Sequence, residues 1–238
     1  MGIDFVGLEA ILLSLKYVTG KENLLTLGRQ GLHLDKQHIN YLFTKYNFNH
    51  LIDKYDLGIS EPLLQGLEFH TIDSLDNSSY EGASIIHNMN NPVPLTNKKY
   101  NDIFDGGTIE HIFNIAQVCE NIIDLLEVGG IFCSVTTNNN FSGHGIYQFS
   151  PEFFLSAFAP AYGMEIQELY LAQVNTERKN WINVNDFNKE GGGRNCSSFN
   201  SPNQVYIIAI IKKISHKRDS LLTNSPNQYS YATIDWKK

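Results

Sequence analysis

The sequence contains little cysteine. Its three cysteines, Cys119, Cys133 and Cys196, lie far apart and form no Cys-x-x-Cys pair. This usage fits the reducing cytoplasm better than a disulfide-stapled secreted domain. Cys119 falls in a helical pattern and Cys133 in an apolar strand, so we expect both to be buried as small hydrophobic residues.

Long apolar runs are also missing. No stretch reaches the length of a membrane span, and the partly apolar start, residues 1–18, is interrupted by Asp4, Glu9 and Lys16. That start has neither a basic n-region nor a small-residue cleavage site, which argues against a signal peptide. The expectation is a cytoplasmic protein that makes no contact with a membrane.

Basic residues are outnumbered by acidic ones. The formal net charge is −7, and nucleic acid or an anionic membrane requires a basic surface, so neither is expected as a partner. The chain has 238 residues, of which 42% are hydrophobic and 18% charged. These values are typical of one globular domain with a full core.

Short apolar runs alternate with segments of helical periodicity along most of the chain. The runs predict strands at 23–27, 67–72, 84–87, 100–104, 131–135, 164–171 and 205–211. Helical spacing occurs at 8–15, 37–43, 59–67, 114–126 and 151–158. This alternation predicts an α/β, Rossmann-like fold, with a seven-stranded, mostly parallel sheet, an antiparallel last strand and helices on both faces.

We expect one domain over residues 1–214. Within it, 33–66 is predicted to be a helical insertion, and the polar, glycine-rich stretch 175–203 a lid or loop. Residues 215–238 lack apolar periodicity and are expected to form a loose tail. The N-terminal helix or the stretch 175–203 could also form contacts in a homodimer, and the sequence leaves this open.

The most informative motif is Asp105-Gly106-Gly107-Thr108-Ile109-Glu110-His111. It follows a predicted strand and precedes a predicted helix, so its polar residues fall at the carboxyl end of the strand. In an open parallel sheet this edge is where ligands bind. The two glycines allow a close approach of backbone and ligand, or a positive φ.

These motifs, together with Gly129-Gly130 before the fifth strand, resemble those of the class I S-adenosylmethionine-dependent methyltransferases over residues 24–214. The resemblance is greatest to small-molecule methyltransferases, in which an acid-histidine pair follows the fourth strand, here Glu110-His111. It implies S-adenosylmethionine as cofactor. The implied cofactor-binding residues are Gly28, Arg29, Gly31, Asp73, Ser74, Asn88, Met89, Asp105 and Gly106.

The resemblance also implies a role for each group. The Gly28–Gly31 turn would lie against the methionine moiety, and Asp73, at the end of the second strand, would accept hydrogen bonds from the ribose. Asn88 and Met89 would flank the adenine. Asp105 and Gly106 would face the reacting methyl, although Asp105 could equally cap the helix that follows it.

The candidate catalytic residues are His111, His144 and Glu110. A hydroxyl acceptor needs a base near neutral pH, and histidine is the usual choice. Glu110 could orient an imidazole or bind the acceptor. The alternatives are purely structural roles, in which His111 packs against the neighbouring helix and His144, between two glycines, is a turn residue. The alternative that His87, Glu110, His111 and His144 converge on a metal is disfavoured, because there is no His-Glu-x-x-His motif and adjacent Glu110 and His111 would diverge on a regular element. No metal is therefore expected.

The function predicted is therefore S-adenosylmethionine-dependent methyl transfer, O-directed, to a small polar molecule such as a sugar or a saccharide intermediate. The sugar was suggested by the Asn-rich run Asn138-Asn139-Asn140. An alternative is a non-catalytic binding module with a degenerate cofactor site, since the first glycine motif is thin. A nicotinamide-dependent dehydrogenase is disfavoured because no Gly-x-Gly-x-x-Gly occurs.

Overall fold

A sheet of eight strands forms the centre of the fold in the residues that the computed structural model describes, 2–55, 57–94, 98–184 and 201–226. Its strands are β2 (Asn23–Leu27), β4 (Thr71–Asp76), β5 (Ile85–Ile86), β6 (Tyr100–Gly106), β7 (Leu126–Asn139), β8 (Met164–Gln173), β9 (Ile182–Asn183) and β10 (Val205–Lys213). A separate parallel pair joins β1 (Gly2–Ile3) to β3 (Gly31–Leu32).

The strand order in the large sheet is β5-β4-β2-β6-β7-β10-β8-β9. The five neighbours from β5 to β7 are parallel to one another. Strand β10 runs antiparallel between β7 and β8, and the short β9 is antiparallel to β8. The predicted fold class is therefore confirmed, with β10 as the antiparallel last strand and β9 as a short addition.

Five α-helices cover the two faces of the described sheet: α1 (Phe5–Ser14), α2 (Lys36–Lys45), α3 (Glu61–Gly66), α4 (Ile115–Leu125) and α5 (Pro151–Ala157). Apolar side chains of α1, α2 and α3 form a core with one face of the sheet, and those of α4 and α5 with the other. Asp4, Asp35 and Asn114 cap the first turns of α1, α2 and α4 by accepting backbone N–H bonds.

Alternate residues of the central strands enter opposite cores. In β2, Leu25 belongs to the core with α4 and α5, and Leu24 to the core with α1. In β7, Phe132 belongs to the core with α4 and α5, and Cys133 to the core with α1. Both faces are buried, which is why these strands have nearly continuous apolar sequences. Cys119 and Cys133 are buried free thiols, as expected, whereas Cys196 lies outside the described residues.

Helix α1 packs over β7 on the face of the sheet, and all ten of its residues are buried. Since this helix is buried along its whole length, it offers no exposed face for the homodimer contact considered above. Residues 33–66 contain α2, α3 and a 3-10 turn at Asn49–Leu51. No helix in the described ranges is long and apolar enough to cross a membrane.

The stretch that was expected to be a loose tail is partly anchored. Arg218 pairs with Glu120 and Asp124 of α4, and Leu221 is buried against the core. The backbone carbonyl of Asn224 accepts a bond from the hydroxyl of Tyr162. Residues 227–238 of that stretch, and 185–200 of the predicted lid, lie outside the described residues.

The chain changes direction across the sheet next to β2. After β2 it proceeds to β4 and β5 on one side, and then crosses to β6 and β7 on the other. Ligands of open α/β sheets bind outside the carboxyl ends of the strands at such a switch point. The carboxyl ends of β2 and β6 are at Leu27 and Gly106, and the region above them is the candidate site.

Candidate active site

Two adjoining cavities lie at the carboxyl ends of the strands, and His111 lines both. The first, here called the strand-end cavity, has a volume of about 450 Å³. Its walls come from the ends of β4 and β5 and from the turn after β6, and include Asp76, Asn88, Met89, Thr108 and His111.

The second cavity, here called the acid–imidazole cavity, has a volume of about 190 Å³. It is lined by Gly2, Asp4, Gly7, Gly106, Gly107, Glu110, His111, Val135, His144 and Tyr206. The two together resemble a site for an elongated ligand with a second, small molecule at one end.

The acid at the end of β4 is Asp76 and not Asp73. Strand β4 spans Thr71–Asp76, so the predicted end at Asp73 was wrong by three residues. Asp73 pairs within the sheet with Leu25, and its carboxylate accepts bonds from Lys98 and from the hydroxyl of Tyr100. These donors lower the pKa of Asp73 against the opposing effect of its burial.

Ser74 also lies inside the strand. It exchanges two bonds with Ser84, since each backbone N–H is donated to the hydroxyl of the other residue. Both Asp73 and Ser74 therefore serve to hold β4 to its neighbours, and neither lines the strand-end cavity. Asp76 lines it, and its carboxylate accepts the N–H of Ser78, which fixes the turn beyond the strand.

The turn after β2 lies where it was predicted, but its side chains make contacts that were not predicted. Gly28 has φ of 69°, and its N–H donates to the carbonyl of Leu75. Arg29 points away from the cavities, to the carboxylate of Glu61 and the carbonyl of Glu81. Gly31 belongs to β3, so no helix starts at this turn. Of this motif, only the Gly28 backbone stays near the strand ends.

Gln30, in the same turn, is a buried residue beside the strand ends that sequence reasoning did not single out. Its Nε2 donates to the carbonyl of Leu27 at 2.6 Å, and its Oε1 is a buried acceptor that has no hydrogen-bond partner. A Cβ added at Gly106 would lie 2.6 Å from this oxygen, so a side chain there would displace the end of Gln30.

The segment after β5 forms the far wall of the strand-end cavity. Met89 is buried there, and Asn88 is exposed and accepts bonds from Asn90. Asn121 of α4 holds this segment: it accepts the N–H of Val93 at 3.0 Å and donates to the carbonyl of Met89 at 3.2 Å. A buried asparagine in a helix was the signal in the sequence for such a role.

Asp105 is fully buried and does not face either cavity. Its Oδ1 accepts the N–H groups of Thr108 and Ile109, and its Oδ2 accepts the hydroxyl of Ser134 at 2.7 Å. Burial, with a contribution from nearby Glu110, raises the pKa of Asp105 to about 7. The predicted contact with the reacting methyl is thus replaced by the alternative, in which Asp105 caps the turn.

The acid–histidine pair forms the chemical centre of the second cavity. Glu110 is 1% exposed, and its Oε2 accepts the hydroxyl of Thr136 at 2.8 Å. Its Oε1 lies 3.6 Å from Nε2 of His144. Burial raises the pKa of Glu110. The rings of His111 and His144 are 5.1 Å apart between centroids. The structure therefore brings together all three predicted catalytic side chains.

The surroundings of His111 favour the neutral form of its imidazole. Partial burial lowers its pKa, and the neighbouring His144 lowers it further. An imidazole in that state is neutral near pH 7 and can accept a proton. Because His111 also lines the strand-end cavity, it stands at the junction of the two cavities.

The loop that carries His144 is tied directly to Glu110. The N–H groups of Ile146 and Tyr147 both donate to the carbonyl of Glu110, at 2.8 and 3.1 Å. A Cβ added at Gly145 would lie 3.0 Å from Cγ of Glu110 and 3.1 Å from its carbonyl oxygen. The glycine next to His144 thus permits the loop to lie against the acid, as the motif suggested.

The asparagines that suggested a sugar acceptor have other partners. Asn138 donates its amide to the carbonyl of Phe149, and Asn140 donates to the carbonyls of Ser201 and Asn203. Neither lines the two cavities. The polar lining that an acceptor would meet comes instead from Asp4, Glu110, His144 and Tyr206.

A wider cleft of about 750 Å³ lies elsewhere, between α2 and residues 175–180. Its lining includes Phe5, His38, Tyr41 and Glu177. Its lining includes none of the residues at the carboxyl ends of β2, β4 and β6, and Tyr41 and Glu177 are bonded to each other across it. The strand-end position of the other two cavities makes them the better candidate.

Comparisons with known proteins add fold-level likenesses only. No protein-family model matches the chain, and no curated protein matches it. Among solved structures, a candidate methyltransferase from Bacillus halodurans C-125 is similar at 13% identity and a TM-score of 0.47, covering 87% of this chain and 99% of that one.

Two further solved structures illustrate the range of these likenesses. One is the 1,6-didemethyltoxoflavin-N1-methyltransferase of Burkholderia thailandensis, with bound 1,6-didemethyltoxoflavin and S-adenosylhomocysteine: 10% identity, TM-score 0.47, 89% of this chain and 78% of that one. The other is the [4+2]-cyclase SpnF, which is similar at 12% identity and a TM-score of 0.49, covering 88% of this chain and 82% of that one.

Proposed function

We propose that this protein is an S-adenosylmethionine-dependent methyltransferase, O-directed, acting on a small polar acceptor. The observation that carries the proposal is the pair of adjoining cavities at the switch point, joined at His111. One has the position expected for a nucleoside at the ends of parallel strands. The other holds an acid and two imidazoles at the place where a reacting group would lie.

The described residues fit the cofactor at two points in the strand-end cavity. Asp76 would accept hydrogen bonds from the ribose hydroxyls, a role that moves from Asp73 by three positions along β4. Buried Met89 would pack against the adenine.

The cofactor would supply a methyl group on a sulfonium, which leaves the protein to position the acceptor and manage its proton. Glu110 is fixed by Thr136 and lies beside His144, and the two imidazoles are the groups able to take a hydroxyl proton near pH 7. This supports an O-directed reaction. The volume of about 190 Å³ supports a small acceptor.

A sugar or a saccharide intermediate remains one acceptor of the right kind. Its support is now the polar lining of the acid–imidazole cavity and not the asparagine run. Asp4 and Tyr206, which are hydrogen-bonded to each other, could both receive hydroxyl groups of such a molecule.

The second candidate function is a binding module without catalysis. The specific observation in its favour is Arg29, which Glu61 and the carbonyl of Glu81 hold away from the cavities, so that the first glycine turn offers few groups to a cofactor. A module of this kind would bind a small molecule at the acid–imidazole cavity without turnover.

The test is methyl transfer from S-adenosylmethionine labelled in its methyl group, screened over sugars, nucleosides, phenols and hydroxy acids. We expect label to enter at least one hydroxylated acceptor with release of S-adenosylhomocysteine. The matched control is His144→Ala, which should still bind the cofactor. The absence of both cofactor binding and transfer to any acceptor class would favour the binding module.

A further inference from the structure

The side chains of Glu110, His111 and His144 converge on one point, although the sequence predicts no metal site there. One ligand atom from each, a carboxylate oxygen and two ring nitrogens, lie within 4.8 Å of one another. The convergence is possible because Glu110 and His111 stand on a 3-10 turn, Ile109–His111, and not on a regular strand or α-helix. The expected divergence of adjacent side chains therefore does not apply.

These separations are close to those around a bound ion. Two donors that are each about 2.1 Å from a tetrahedral metal are about 3.4 Å apart. The Glu110–His144 separation is already 3.6 Å. The His144 side chain is 49% exposed, so the surrounding packing leaves it room to rotate towards the other two ligand atoms.

A hydrogen bond fixes the orientation of the Glu110 carboxylate, as outer contacts fix the ligands of metal sites. Thr136 donates its hydroxyl to Oε2 of Glu110, which leaves Oε1 directed towards His144. The loop that carries His144 is bonded through Ile146 and Tyr147 to the carbonyl of Glu110. Such outer contacts orient the ligands of metal sites and raise metal affinity.

We propose that Glu110, His111 and His144 form a binding site for a divalent transition-metal ion such as Zn²⁺. Two imidazoles and one carboxylate are a ligand set that such ions accept, and it leaves at least one coordination position open. The open position faces the acid–imidazole cavity, because all three residues line that cavity. The inference does not depend on the proposed cofactor.

A bound ion would alter how the cluster acts on an acceptor. An acceptor hydroxyl coordinated at the open position would have a lowered pKa and would ionise near neutral pH, with its proton passing to solvent water. The imidazoles would then be ligands and not proton acceptors, while the position of the acceptor would stay the same.

The test is titration of untagged, EDTA-treated protein with Zn²⁺ by calorimetry and with Co²⁺ by visible absorption. We expect one ion per chain and Co²⁺ ligand-field bands. Loss of an outer-shell partner costs about 10–100-fold in metal affinity, so His111→Ala and His144→Ala should each cost at least about 100-fold. Both side chains are largely exposed, so these variants should fold, which the unfolding temperature would check.

The control is His70→Ala, which removes another exposed histidine far along the chain and should leave the Zn²⁺ affinity unchanged. Zn²⁺ affinity that is equal in wild type, His111→Ala and His144→Ala would overturn the proposal, as would no binding up to millimolar Zn²⁺. Titration of the same metal-free protein with S-adenosylhomocysteine reports on the cofactor separately, so the two proposals can fail independently.

Discussion

Oε1 of Glu110 lies 3.6 Å from Nε2 of His144, and the acid itself is buried. The exposed imidazole thus has a carboxyl group behind it and a cavity in front of it. In a methyltransferase this arrangement would orient the imidazole towards an acceptor hydroxyl, and in a metal site it would complete a ligand set.

The first prediction concerns turnover. His144→Ala removes a group that is proposed to act on the acceptor, and general bases contribute about 10²–10⁴-fold to rate. We therefore expect kcat to fall at least about 100-fold while the dissociation constant for S-adenosylhomocysteine changes less than twofold. Steady-state kinetics and calorimetry check the two parts. A fall in cofactor affinity of the same size as the fall in kcat would contradict the assignment.

The second prediction concerns Asn121, which holds the wall of the strand-end cavity through Val93 and Met89. Asn121→Leu leaves the buried N–H of Val93 without its acceptor, and an unsatisfied buried group costs about 1–3 kcal/mol. We expect the free energy of unfolding in urea to fall by that amount and cofactor affinity to fall with it. Unchanged stability would mean that this wall is held in another way.

The third prediction concerns pH and the anchored tail. Glu120 is buried and accepts bonds from Arg218, Ser220 and the N–H of Leu221. Burial raises its pKa, but these donors prevail and lower it below the ordinary value. A lowered folded-state pKa gives stability that is present above the unfolded pKa, about 4.3, and is lost as pH falls through the folded pKa.

Arg218→Met should therefore reduce the unfolding temperature at pH 7 and flatten its decline as the pH falls below the unfolded pKa of about 4.3. Removing one partner of a shielded pair costs up to about 3 kcal/mol. Thermal unfolding at several pH values measures both effects. Lys217→Met, an exposed neighbour without a role in the pair, is the control. Parallel pH curves for Arg218→Met and wild type would rule out this anchoring.

Much of the fold could be predicted because the strands of the sheet carry local signals. Strands β2, β6 and β10 are apolar runs, and α4 has helical spacing and ends close to where it was expected. Gly129-Gly130 was a weaker signal, since the pair lies inside β7 and not at the end of a helix. A Cβ at Gly130 would meet the carbonyls of Glu127 and Asn101, so the pair accommodates an irregularity in the strand.

The error at Asp73 has a physical cause. A strand that contains Asp73 and Ser74 looks in sequence as though it ends there, because unpaired polar groups are excluded from a sheet interior. Lys98, just before β6, and Tyr100, the first residue of β6, satisfy Asp73 and are distant from it in sequence. Only the tertiary structure shows that the strand continues for three more residues, to Asp76.

The site could be predicted where residues close in sequence determine its geometry. It could not be predicted where the hydrogen-bond partners of a side chain are distant in sequence. Glu110 and His111 are adjacent, and the glycines beside His144 indicated a close approach that the loop indeed makes. Nothing local indicated that Asn138 and Asn140 would be used on backbone carbonyls, or that Gln30 would be buried with an unpartnered oxygen.

The most direct test of the central claim is calorimetric titration with S-adenosylmethionine and S-adenosylhomocysteine, comparing wild type with Asp76→Asn and Asp73→Asn. The two variants make the same chemical change three positions apart in β4, and only Asp76 lines the strand-end cavity. A hydrogen bond to a charged group is worth about 1.5–3 kcal/mol. We predict micromolar binding to wild type, a loss of that size in Asp76→Asn and little change in Asp73→Asn. No binding to wild type up to millimolar concentration, or an equal loss in both variants, would contradict the account.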